Sequence, residues 1–379
     1  MPPTHTLSNL FSRIKNFRQK FNKKIFFGAL VVVLLSPAAV FSVYKFLAKA
    51  PQTTPPFQSE STPTEIPVTL PSVPTPDSSG KVNILLLGQG DPSHEGSGLT
   101  DSLMIVHLDT TNKKAALIFL PRDLWVPLPA KTDGKSEVKI NETYRTSLTN
   151  GDSSKGLKLI EEIASAITGL PIQYSLLIDF NGFTQVINSI GGIDININSS
   201  FDDYYYPIAG RELDNCGMAP ETLRDINATI SGFLLEKQYS CRYEHIHFDS
   251  GKTHVTGETA LKFARSRHSA QGGSDFARGE RQQILLLGIK DKLISLEALK
   301  NVDKYYNNFV KKMKLDMDLN AAKSLVLLVI DPKDYKISQI VPSEDNVLSS
   351  SKNSAGQFIL IPKAGNWTEF QGFIKKQMQ

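Results

Sequence analysis

Residues Ile25 to Tyr44 (IFFGALVVVLLSPAAVFSVY) form an almost uninterrupted apolar run. A helix needs about 20 such residues to cross a bilayer, so this run divides the chain before any other feature is read. Arg13, Lys15, Arg18, Lys20, Lys23 and Lys24 precede it, and only Lys45 and Lys49 follow closely. Positive charge stays on the cytoplasmic side. The pattern predicts a single-pass cell-membrane protein: a basic cytoplasmic tail (1–24), a transmembrane anchor (25–46) and everything beyond it extracytoplasmic. A cleaved signal peptide is the rival reading, because Ala48-Lys49-Ala50 resembles a cleavage site. The run is too long for an ordinary signal core, so the uncleaved anchor is preferred.

Residues 47–80 are rich in Pro, Thr and Ser and poor in large apolar side chains. Such a segment builds no core and reads as a semi-extended spacer. The remaining 81–379 is long enough for one large domain. Val82 to Leu87 (VNILLL) has the continuous apolar pattern of a buried central strand. Ser102 to Leu108 and Ala115 to Leu120, joined by a polar turn, read as a hairpin. A helix is expected over 154–168, where Leu157, Ile160, Ile163, Ala164 and Ile167 recur on one face, and Gly169 and Pro171 stop it. Tyr174 to Ile178 is a strand, Phe180 to Ile190 a helix, and Ile193 to Ile197 a strand. Residues 202–249 look like an irregular excursion. Strands near 335–341 and 358–361, a loop over 342–357 and a last helix from Thr368 close the domain. Interleaved strands and helices predict an α/β (α+β) class with a mixed central sheet flanked by helices.

The net charge is only +4 over 379 residues. No nucleic-acid partner is implied, and basic character is local. It concentrates in Arg265, Arg267, Arg278 and Arg281, with Gln282 beside the last. Arginine grips phosphate through a planar fork and keeps its charge. Converging guanidinium groups repel one another unless a polyanion fills the space between them. Thr256 and Asp275 are expected N-caps. On a helix beginning at Phe276, Arg278 lies one turn from Arg281 and Gln282. The plainer reading is a solvated basic surface; the scarcity of Lys in the segment favours the phosphate site.

Asp101 precedes one hairpin strand, and Arg122-Asp123 follows the other. If the hairpin closes, Asp101 and Arg122 share an end of the sheet. A carboxylate beside arginines suits Mg²⁺ held between phosphate oxygens. The alternative is a turn salt bridge between Arg122 and Asp123. Asp91, His94 and Glu95 lie in a Gly-rich loop after the first strand, and Asp91 is the second candidate metal ligand. Asn141 reads as a helix cap or a ligand contact, capping first. His245, His247, His254 and His268 follow no pattern and read as surface or structural residues, with His268 the nearest to the arginines. Cys216 and Cys241, the two cysteines of the chain, suit a disulfide outside the cell; two free buried thiols are the other reading. No Walker loop, Gly-x-Ser-x-Gly elbow or His-Glu-x-x-His motif is present.

The order of motifs resembles the LytR-CpsA-Psr family. The matching segments are Leu99-Thr-Asp101-Ser-Leu-Met104, Leu120-Pro-Arg122-Asp123, Lys139-Ile-Asn141-Glu-Thr-Tyr144, Ile178-Asp179-Phe-Asn-Gly-Phe183, Ser189-Ile-Gly-Gly-Ile193, Gly257 to Arg267, and Ser274 to Gln282. The resemblance implies an enzyme that transfers the phosphoglycosyl part of a polyprenyl-pyrophosphate-linked glycan donor to a peptidoglycan acceptor. It implies that Arg122, Arg265, Arg267, Arg278 and Arg281 hold the pyrophosphate with Gln282 nearby, that Asp101 helps hold Mg²⁺, and that the lipid lies between sheet and helices. A non-catalytic receptor for lipid phosphates and a lipid pyrophosphatase are the competing readings. Three positions depart from the family pattern. The loop Gly88-Gln-Gly90-Asp91-Pro92 displaces an aspartate and lacks an arginine, Leu99 replaces a frequent arginine, and Asn188 stands where an acidic residue is common.

Overall fold

The computed structural model describes residues 80–90, 98–129, 136–147, 153–269, 273–295, 310, 313–316 and 335–379. The expected tail, anchor and spacer lie outside these residues. So do Asp91, His94 and Glu95. Among the described residues no helix is long and apolar enough to cross a membrane.

In chain order the strands are β1 (Lys81–Gln89), β2 (Thr100–Asp109), β3 (Lys114–Phe119), β4 (Trp125–Pro127), β5 (Glu137–Lys139), β6 (Tyr174–Asp179), β7 (Ile193–Ile197), β8 (Phe201–Pro207), β9 (Tyr243–Phe248), β10 (Gly251–Val255), β11 (Met313–Leu315), β12 (Lys336–Ile340), β13 (Leu348–Lys352) and β14 (Phe358–Pro362). The helices longer than one turn are α1 (Ser153–Thr168), α2 (Phe180–Ser189), α3 (Pro220–Thr229), α4 (Gly257–Arg265), α5 (Asp275–Ser295) and α6 (Trp367–Gln377). Six strands form a mixed sheet in the order β11-β6-β1-β2-β3-β12. β1 lies inside it, antiparallel to β2 and parallel to β6, as its unbroken apolar run requires.

Alternation along the strands covers both faces. Leu85, Leu87, Leu103, Ile105 and Ile118 point into a core closed by α1 and α6. Val82, Ile84, Met104, Val106 and Leu117 point the other way, toward Leu286 and Leu287 of α5. A third core joins α2, α4 and α5 to β7, β8, β9 and β10. The five apolar residues expected to share one face of α1 are all buried.

Several boundaries differ from the expectations. β7 is not part of the central sheet; it pairs with β10, whose polar sequence GKTHV hides it. The excursion over 202–249 is not irregular: β8 and β9 pair antiparallel, and Cys216 and Cys241 between them form a disulfide. Part of the expected loop 342–357 is β13, a polar strand that among the described residues pairs with β14 alone.

α5 lies directly on the sheet at Gly279. A Cβ at that position would come within 2.5 Å of the Phe119 ring. Only glycine lets helix and sheet approach so closely, and Arg278 and Arg281 ride on the same stretch.

Candidate active site

The hairpin closes as expected. β2 and β3 pair from Met104↔Phe119 to Asp109↔Lys114, which sets Asp101 and Arg122 at the same end of the sheet. Arg122 Nη1 donates to Asp101 Oδ1 at 2.8 Å. Asp123 does not take Arg122 as its main partner; it accepts from Lys139 Nζ at 2.6 Å, while Arg122 Nε stands 3.6 Å from both Asp123 and Asp275.

Asp275 is not the cap of α5. Ser274 occupies that position, with its hydroxyl accepting from the Ala277 N–H at 3.1 Å, and Asp275 is the first helical residue. The one-residue offset turns the Asp275 carboxylate toward Arg122 and toward Arg278, one turn along. Arg278 is buried and also donates to the Asp101 carbonyl at 3.0 Å. Asn141 carries no side-chain cap bond. Its Nδ2 donates to Asp101 Oδ1 at 3.3 Å. Asp101, Asn141, Arg122, Asp275 and Arg278 therefore form one cluster.

Burial pushes the Asp101 carboxyl up, but Arg122, Arg267 and Arg278 outweigh it and hold the group below its ordinary range. Asp101 stays ionised and is a poor proton acceptor. Arg122 is held above its ordinary value: burial lowers it, and Asp101, Asp275 and Asp123 more than compensate. Arg267 goes the other way. Burial first, then repulsion from Arg278 and Arg122, pushes it down to about 10. Its guanidinium makes no hydrogen bond to a described residue.

The other predicted residues divide by role. Arg265 lies over the Phe180 ring, 4.2 Å from its centroid, and donates to the Tyr206 hydroxyl at 3.3 Å. Arg281 is buried beneath the loop that follows α4, with Nε donating to the Phe263 carbonyl at 3.0 Å and Nη2 to the Ser266 carbonyl. Its donors brace the backbone carrying Arg265 and Arg267. Gln282 accepts from the Ser102 hydroxyl at 2.8 Å, which ties α5 to β2. His268 turns away from the cluster: its ring stacks on Phe233 at 4.4 Å and meets Glu236. Thr256 caps α4 as expected, accepting from the Thr259 N–H at 3.4 Å.

Three contributors were not visible as site residues beforehand. Asp275 resembled a cap, Asp203 sat in what looked like an irregular stretch, and Tyr206 was one of three consecutive tyrosines.

Four buried atoms at this cluster have no hydrogen-bond partner among the described residues: Arg122 Nε, Arg278 Nε, Asn141 Oδ1 and Asp275 Oδ2. Buried polar groups are nearly always paired, and here orphaned donors and orphaned oxygens lie side by side, a set able to take partners of either sign. An anion would pair with the nitrogens, and a hard cation with oxygen ligands would pair with the carboxyl and amide oxygens.

Fold and cluster together define an α/β domain in which the end of the central sheet and the N-terminus of α5 bring arginines and aspartates into one cluster. The chain belongs to the LytR_cpsA_psr family, whose model matches residues 41–364. It is 30% identical over 223 residues to the polyisoprenyl-teichoic acid–peptidoglycan teichoic acid transferase TagV of Bacillus subtilis (strain 168), a match covering 59% of this chain and 46% of that protein. It is 25% identical over 247 residues to the TagU transferase of Enterococcus faecalis (strain ATCC 700802 / V583), covering 65% of this chain and 64% of the relative. The chain thus spans less than two thirds of either relative's length. Among solved structures, B. subtilis TagV matches with a TM-score of 0.53 at 23% identity, over 79% of this chain and 98% of that one. Protein gbs0355 of Streptococcus agalactiae matches with a TM-score of 0.57 at 19% identity, over 79% and 89%. These likenesses establish the mixed α/β fold.

Proposed function

We propose that this protein is a membrane-anchored, extracytoplasmic phosphotransferase. It moves a glycopolymer from a polyprenyl-pyrophosphate carrier to peptidoglycan. The observation that carries the reading is Arg267, a half-buried guanidinium that feels the like charges of Arg278 and Arg122 and makes no hydrogen bond to a described residue. A diphosphate relieves the repulsion and fills the donors, and charge-assisted bonds to phosphate are the strong kind. The relatives named as teichoic acid transferases support a lipid-linked glycan as donor.

In this reading Arg122, Arg267 and Arg278 hold the diphosphate, with Arg265 at its edge. An acceptor hydroxyl attacks the phosphorus that bears the glycan. A new P–O ester forms, the P–O–P bridge breaks, the electron pair stays on polyprenyl phosphate, and the hydroxyl proton passes to water. The arginines neutralise the charge that develops on the departing phosphate, which is most of what a phosphoryl transfer asks of a protein. Cleavage of the diphosphate drives the reaction, so no nucleotide is needed outside the cell. Asp101, with Asn141 and Asp275 beside it, suits Mg²⁺, and Asp91 is the further ligand expected from the sequence. When bound, the ion would neutralise phosphoryl oxygens. Asp101, held ionised, orients rather than takes a proton.

The test is incubation of the full chain in detergent with a polyprenyl-pyrophosphate glycan, Mg²⁺ and peptidoglycan. Polymer joined to the wall is the expected product. Free phosphorylated glycan makes the protein a pyrophosphatase, and tight binding without turnover makes it a receptor; either result overturns the transferase.

A further inference from the structure

Strand β8 does not alternate evenly. Phe201, Asp203 and Tyr206 are buried, whereas Tyr204 is exposed and Tyr205 half-buried. The register with β9 shifts between Asp203 and Tyr206. Such a bulge re-aims side chains. Here it returns Tyr206 to the inner face that Asp203 already occupies, and both reach the segment between α4 and α5.

Asp203 is 1% exposed. Its Oδ2 accepts from the Ser266 hydroxyl at 2.7 Å, the Arg267 N–H at 2.9 Å and the His268 N–H at 3.1 Å, and its Oδ1 accepts from the Tyr205 N–H at 2.9 Å. Tyr206 lies under the Arg265 guanidinium, 5.6 Å from ring centroid to head group, and meets it through the hydroxyl.

We propose that bulged strand β8 is the rack that positions the anion-binding arginines, with Asp203 a positioning residue that acts through Arg267. The reason lies in what Asp203 holds. Arg278 and Arg122 repel Arg267 more than Asp101 and Asp275 attract it, and a guanidinium with no hydrogen bond of its own keeps its place only if its backbone is fixed. A carboxylate bonded to the head group would fix it but consume its donors. Asp203 instead binds the main-chain N–H groups of Arg267 and His268 and the side chain of Ser266. The five guanidinium donors stay available to a ligand. Arg281 braces the same loop through its carbonyls, from the side opposite in hydrogen-bond polarity. The loop is thus held at its N–H groups by an anion and at its C=O groups by a cation.

This inference rests on the diphosphate reading. The experiment is calorimetric titration of farnesyl diphosphate into the full chain in detergent, for the wild type, Asp203→Asn, Arg267→Ala and the double variant, with a thermal melt of each. Wild-type binding is expected, along with about a tenfold loss or more in each single variant, the scale of one charged hydrogen bond. The double variant should be no worse than Arg267→Ala alone, because residues acting as one unit are non-additive. A merely structural Asp203 would lower the melting temperature and add its loss on top of that of Arg267→Ala; that result overturns the proposal, as does unchanged affinity in a folded Asp203→Asn. If Asp203→Asn does not fold, Ser266→Ala removes one donor from the same carboxylate. It should weaken binding about threefold, on the order of a weak hydrogen bond, and unchanged affinity sinks the idea. A wild type that takes up no diphosphate instead sinks the functional reading on which the inference stands.

Discussion

At the open end of the β2–β3 hairpin, Arg122 is held by its head, between Asp101 and Asp275. Beside strand β8, Arg267 is held by its main chain, through Asp203. The first arrangement uses charge to satisfy charge and leaves a nearly balanced cluster. The second leaves a guanidinium without a partner. The difference separates an arginine whose head already has carboxylate partners from one whose head has no hydrogen bond to a described residue. On the proposed diphosphate reading, the paired cluster would wall the ligand and Arg267 would attract it.

Three changes sharpen or break that contrast. The largest effect is expected from Arg267→Ala. With charged hydrogen bonds worth about 1.5–3 kcal/mol each, loss of diphosphate affinity should reach about 10–150-fold or more while the melting temperature stays level or rises. Arg267→Lys should not restore it, since a point charge lacks the bidentate fork. A melting temperature that falls as far as affinity does would erase the contrast with Arg122. Next comes the disulfide. Opening the Cys216–Cys241 link, which spans a sequence separation of 25, should cost about 3 kcal/mol through unfolded-state entropy. Proteolysis of Cys216→Ser with Cys241→Ser should begin between β8 and β9, with the hairpin end intact. Cleavage beginning elsewhere would show that the ribbon is not a separable unit.

The smallest effect is a pH slope far from the arginines. Burial first, then the neighbouring Asp316, pushes the Glu161 carboxyl of α1 up to about 8, from an ordinary 4.5. The folded chain therefore holds a proton that the unfolded chain has lost, and this stabilisation is complete below about pH 4.5 and vanishes as pH rises through 8. Glu161→Gln should melt progressively higher than the wild type between pH 6 and 9. Parallel melting curves would remove Glu161 from the account.

The hairpin end was legible in the sequence because its signals are local. Two apolar runs flank a polar turn, and strand pairing alone then brings Asp101 to Arg122. The helix carrying Leu157 to Ile167 was legible for the same reason. Strand β8 was not, since three tyrosines in a row show no period of two and the bulge that orders them depends on β9, some forty residues away. Strands β10 and β13 were missed because GKTHV and LSSSK are polar and, among the described residues, each pairs with a single neighbour. Asp275 was displaced by one residue: Ser274 and Asp275 are equally good caps by chemistry, and only the arginines below decide between them. The roles of Arg281 and Arg278 were not separable beforehand, because both lie on one helix face and their partners come from other elements.

Gly279 permits the close approach of α5 to the sheet, since a Cβ there would collide with the Phe119 ring. The attraction proposed for a diphosphate would come from charge and would weaken as ions crowd around the cluster. The spacing of the walls would not. On the proposed reading, raising ionic strength should therefore weaken capture of a diphosphate while leaving the spacing of α5 and the sheet unchanged, so attraction and geometry would answer to different forces.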